Sequence, residues 1–81
     1  MNNNKSVKLL RIENYLRDIN KGGLYDAFEY IGDSISTQDL IMAEQDSLYL
    51  DYLVVEVMSV IYVWSDTEID KMIEHIGVKN V

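Results

Sequence analysis

Eighty-one residues, 48% of them hydrophobic and 26% charged, make one small globular domain with a core large enough to fold and only marginal stability. The absence of cysteine excludes disulfides and thiolate metal sites, the absence of proline argues against a loop-rich or all-β fold, and a single histidine, His75, leaves zinc unsupported. Net charge is −7 and uneven, with five Lys/Arg against two carboxylates in residues 1–21 and two against twelve in residues 22–81.

Such an acidic body repels nucleic-acid phosphates and attracts proteins that carry a positive patch, unless the charge serves solubility alone. The polar start, Met1 to Ser6, leads into no signal-like apolar stretch, so a cytoplasmic protein is expected. Residues 1–81 read as one domain, frayed at 1–4 and 79–81.

The first helix is predicted over residues 5–20, with Ile12, Tyr15, Leu16 and Ile19 on one face and a Glu13–Arg17 pair outside. A shorter one follows over 24–31, where Leu24, Ala27, Phe28 and Ile31 repeat that spacing. Gly22, Gly23, Gly32 and Gly77 each come just after an apolar-periodic segment, where a left-handed helix C-cap would want them.

The third helix starts near Gly32-Asp33-Ser34-Ile35 and turns Leu40 and Ile41 inward. Either Ser34 or Ser36 opens it; Ser36 has Asp39 three residues on, and Ile35 can staple to Leu40. With Ser34 at the start, its hydroxyl stands exposed at a positive helix end, where backbone N–H groups and the helix dipole favour a phosphate ester.

In the stretch from Leu48 to Trp64 only Asp51, Glu56 and Ser59 interrupt Leu, Val, Ile, Met, Tyr and Trp. It is too short and too often interrupted to span a membrane, and too long without a turn signal for a strand. It reads as a helix, bent near Asp46-Ser47, that forms the buried centre of a bundle in preference to a dimer seam. The last helix is the clearest: Ser65 and Glu68 form a capping box, Trp64 staples to Ile69, and Ile69, Met72, Ile73 and Ile76 make one face. Gly77 ends it, with Val78 placed for the accompanying apolar contact, and His75 compensates the dipole or packs. The sum is an all-α protein, a small four- to five-helix bundle.

From Phe28 the chain runs Phe-Glu-Tyr-Ile-Gly-Asp-Ser-Ile. This resembles the phosphopantetheine attachment segment of acyl and peptidyl carrier proteins, which commonly runs Phe-Glu-Leu-Gly-Gly-Asp-Ser-Ile or Leu. Thr37, Leu40, Ile41, Met42 and Ala43 are similar to the helix that follows in that family, and Thr67, Ile69, Ile73 and Ile76 to its final short helix. Ile31 stands where the family has the first glycine of its pair, so Gly32 alone must make the turn. Leu48 to Trp64 has no firm counterpart, and Asp46-Ser47-Leu48 is a second Asp-Ser match without a glycine before it.

The resemblance implies a carrier-protein-like fold and a carrier, not an enzyme. In that reading a phosphopantetheinyl transferase joins 4'-phosphopantetheine from coenzyme A to Ser34, beside Gly32 and Asp33, and the arm's thiol holds an acyl or aminoacyl group as a thioester. Asp39, Glu44 and Asp46 would meet basic docking patches on acyl- or aminoacyl-handling enzymes. Ile35 and Met42 match positions that touch partners or the arm, with core packing the other reading of Met42.

The rival reading is a small acidic helical inhibitor or immunity-type protein covering a basic site on a partner. Ser34 is then only a helix cap, and Tyr49 and Tyr52 beside Asp51 form an acidic-aromatic binding patch.

Overall fold

The computed structural model describes residues 4–19 and 22–78, and among them there is no strand. Five helices follow in order: α1 (Asn4–Arg17), α2 (Gly23–Tyr30), α3 (Thr37–Gln45), α4 (Ser47–Ile61) and α5 (Asp66–Ile76). The small all-α bundle expected from periodicity is therefore a five-helix one. Of the residues expected to fray, Asn4 begins α1, and 1–3 and 79–81 lie outside the described residues.

α1 buries Ile12 and Leu16 and lays them against α2, α4 and α5. It ends at Arg17, three residues before the predicted end at residue 20, which is outside the described residues. Arg17 bridges outward, to Glu13 at 3.0 Å on its own helix and to Asp51 of α4. These hydrogen bonds, that to Asp51 first, hold its guanidinium above the ordinary arginine range. Exposed ion pairs are worth about 0.2–1 kcal/mol, so this one orients α1 on α4 while the apolar core supplies the cohesion.

Tyr15 joins three helices. Its hydroxyl donates to the Ile76 carbonyl at 3.3 Å, in the last turn of α5, while its ring lies over the backbone of Gly23. A Cβ at Gly23 would sit 2.4 Å from that ring, so this glycine is there for close approach. It is the first residue of α2 and has no positive φ, which corrects the expectation that all four glycines are left-handed C-caps. Gly22, with φ 71°, stands as the N-cap of α2.

α5 forms as its sequence dictates: Ser65 and Glu68 close the capping box, and Ile69, Met72 and Ile76 are buried. Gly77 ends it at φ 76°, and the Val78 N–H reaches back to the Ile73 carbonyl at 3.1 Å. His75 is exposed, its ring 4.8 Å from that of Tyr30, which also meets Trp64 edge-on at 6.1 Å.

α4 departs from its expectation. It is one helix, separated from α3 by a break at Asp46, but it is not buried on all sides. Leu53, Val54, Val57 and Ile61 enter the core, while Leu48, Tyr52, Val55 and Tyr62 face outward. Its main neighbours are α1, α2 and α3, α5 makes no substantial contact with it, and these leave the outward residues uncovered. No helix among the described residues is long and apolar enough to cross a membrane.

Candidate functional site

The loop between α2 and α3 is held at both ends by ordinary backbone chemistry. α2 closes in a Schellman turn: Gly32, at φ +84°, donates its N–H to the Glu29 carbonyl at 3.1 Å, and the Asp33 N–H reaches the Phe28 carbonyl at 2.9 Å. Ile31, half-buried, keeps φ at −83°, so Gly32 alone makes the turn. Three residues after Gly32, Ile35 inserts into the core, only 8% exposed. Between these anchors Asp33 and Ser34 are exposed, with the Ser34 N–H donating to its neighbour's Asp33 Oδ1 at 2.8 Å.

The cap of α3 is Ser36. Its Oγ accepts the Asp39 N–H at 3.0 Å, and Asp39 Oδ2 accepts the Ser36 N–H at 3.2 Å, a closed capping box. Ser34 therefore lies two residues before the cap and outside the helix, which corrects its placement at a positive helix end. That end already has a negative charge. The Asp39 carboxylate stands in its first turn and also accepts the Tyr49 hydroxyl at 2.6 Å. These bonds, Tyr49's first and then those of the Ser36 backbone and hydroxyl, hold Asp39 below the usual carboxylate range.

The remaining predicted residues divide into available and occupied ones. Met42 and Glu44 are exposed on α3, so core packing does not account for Met42. Asp46 is exposed as well, yet its carboxylate accepts the Leu48 N–H at 3.0 Å and caps α4. Asp39 is occupied by Ser36 and Tyr49. Ile35 is mostly buried, which leaves a partner only the edge of it that lines the cleft beside Ser34: its burial, with half-buried Ile31 packed against the same core, fixes the loop to the bundle. Ser47, from the second Asp-Ser match, is the serine that begins a helix, directly after Asp46.

A cleft of about 120 Å³ beside Ser34 is lined by Tyr25, Glu29, Asp33 and Ile35. This is below the roughly 300–1,000 Å³ of ligand pockets, so the site displays a hydroxyl and does not enclose a substrate. Among the described residues no three His, Asp or Glu side chains are grouped to hold a metal.

A second feature lies along α4, in the stretch that the sequence offers either as a buried centre or as a dimer seam. A groove of about 390 Å³ between α1 and α4 is lined by Glu13, Val54, Val55, Met58, Ser59 and Tyr62, and the outward residues of α4 continue it. Its signal was present as a second apolar stripe in Leu48 to Trp64, offset from the one that enters the core. Tyr52 lies on this outer face with its ring 5.9 Å from that of Tyr49, while the adjacent Asp51 is engaged by Arg17.

The fold and site define a small all-α bundle with an exposed serine on a pinned, acidic loop. No family model matches the chain, and no curated protein and no solved structure matches it either.

Proposed function

We propose that this protein is a stand-alone carrier: Ser34 bears a 4'-phosphopantetheine arm whose thiol holds an acyl or aminoacyl group for partner enzymes. In the loading step the Ser34 oxygen bonds to the phosphorus at the pantetheine end of coenzyme A, the pyrophosphate link breaks, and the nucleotide leaves. A base on the transferase takes the hydroxyl proton. The observation that carries this reading is the exposed Ser34 on a loop fixed by the Gly32 turn on one side and by buried Ile35 on the other. A tethered group needs such a fixed post, because the reach of the arm is useful only if its root does not wander. Asp33 beside it and Met42 and Glu44 on α3 are exposed, the two carboxylates available to basic docking surfaces. In this reading the protein works in the cytoplasm.

The test is intact mass after co-expression with a broad-range phosphopantetheinyl transferase. Wild type and Ser47→Ala should each gain one phosphopantetheine, and Ser34→Ala none. No gain by wild type overturns the reading, and a gain by Ser34→Ala overturns the site.

One observation favours the inhibitor reading as a second: the outer face of α4 leaves Leu48, Tyr52, Val55 and Tyr62 uncovered on an acidic chain. A tight complex with a basic enzyme that survives Ser34→Ala and weakens as salt rises would support it.

A further inference from the structure

The outward residues of α4 have a period of their own. Leu48, Tyr52, Val55, Ser59 and Tyr62 succeed one another at intervals of four, three, four and three residues. That is the 3.5-residue repeat which keeps one seam of a helix facing another helix, whereas a surface helix of a finished bundle presents polar residues there. Only Ser59 is polar. Leu48 is 76% exposed, Tyr62 68% and Val55 59%. The seam is also concave, since Val55, Ser59 and Tyr62 rise beside a groove floored by Val54 and Met58, a place for a side chain from an incoming helix.

Charge selects the occupant. Asp51 and Glu56 flank the seam in the two positions that would border a second helix, and Glu13 stands on the rim of the groove. Arg17 answers Asp51 and Glu13, but among the described residues no cation pairs with Glu56. A second copy of this chain fits poorly. Parallel pairing would oppose Asp51 of one copy with Glu56 of the other, and antiparallel pairing centred on Val55 would set Glu56 beside itself. Both also bring together two bodies of net charge −7.

We propose that this face of α4 receives an amphipathic helix of a partner protein, apolar at the same 3.5-residue repeat and flanked by Lys or Arg. The seam shares no residue with the Ser34 cleft, so the inference holds under either reading of the function, and its failure leaves the mass-gain test untouched.

The probe is a labelled synthetic helix about three heptads long, with Leu and Ile on the seam and Lys on both flanks. A matched peptide carries Glu on the flanks, and binding is read by fluorescence anisotropy. The basic peptide should bind the full chain and the acidic one should not. Val55→Glu is the deciding variant, because it adds negative charge while breaking the seam. Seam docking predicts at least about tenfold weaker binding, whereas attraction by charge alone predicts stronger binding. Circular dichroism establishes that the variant is folded. Failure of the basic peptide to bind, equal binding of both peptides, or binding unchanged or strengthened by Val55→Glu overturns the proposal. Sedimentation of the protein alone supplies the remaining outcome: a dimer dissolved by Val55→Glu would make the occupant a second copy and overturn it as well.

Discussion

Tyr49 donates its hydroxyl to Asp39 Oδ1 at 2.6 Å, which ties the first turn of α4 to the first turn of α3 across the break at Asp46. The bond moves both groups: Asp39 is held below the ordinary carboxylate range, and Tyr49 is held above the ordinary phenol range by its bond to Asp39. Depression of Asp39 contributes stability that is present above the unfolded pKa of about 3.9 and lost as pH falls through the lower folded value. Elevation of Tyr49 contributes stability that is present below about pH 10 and lost as pH rises through the higher folded value. Tyr49→Phe should therefore flatten both limbs of a melting-temperature profile against pH. A variant profile parallel to wild type at both ends would mean that the bond is not formed in solution.

Ser36→Ala should cost about 1 kcal/mol, the usual worth of a helix N-cap, because the Oγ that accepts the Asp39 N–H is lost while the backbone half of the capping box remains. Ser34→Ala should stay within about 0.5 kcal/mol, as expected for an exposed side chain that caps nothing. Urea denaturation of the two variants measures the difference. If the larger loss fell on Ser34, that residue and not Ser36 would be the cap.

The two faces of α4 should respond oppositely. Leu53→Ala, at a residue 3% exposed, should destabilise by about 2–5 kcal/mol through lost burial and the cavity left behind. Val55→Ala, two residues on, should change stability by no more than about 0.5 kcal/mol. Comparable losses in thermal unfolding would show that Val55 is covered.

Two glycines fail for different reasons. Gly23→Ala drives a methyl into the Tyr15 ring and should cost about 1–3 kcal/mol. Gly32→Ala meets open space and should cost about 1–2 kcal/mol from its left-handed backbone alone. Gly32→Asn should recover part of that loss, since asparagine visits this region more readily. At Gly23, asparagine should be no better than alanine, and unfolding midpoints of the four variants test the contrast.

Helix ends were readable because their causes are local. The Ser65–Glu68 box, the Gly77 stop and the break near Asp46 each follow from hydrogen-bonding groups within a few residues of one another. The loop before α3 was legible only as a choice. Ser34 and Ser36 have the same capping chemistry, and the short Asp39–Ser36 exchange together with burial of Ile35 decided between them.

By itself the sequence determined an all-α chain of four to five helices, an acidic body and a turn that only Gly32 makes, since propensity, capping and backbone sterics act over one or two turns of chain. Tertiary structure alone decided that Gly23 lies under Tyr15, that Ile35 is inside and Ser34 outside, and that α4 has one face in the core and one uncovered. The physical reason is that burial belongs to a set of neighbours and not to a residue. Leu53 and Val55 are equally fit to be covered, and the number and placement of the surrounding helices chose between them.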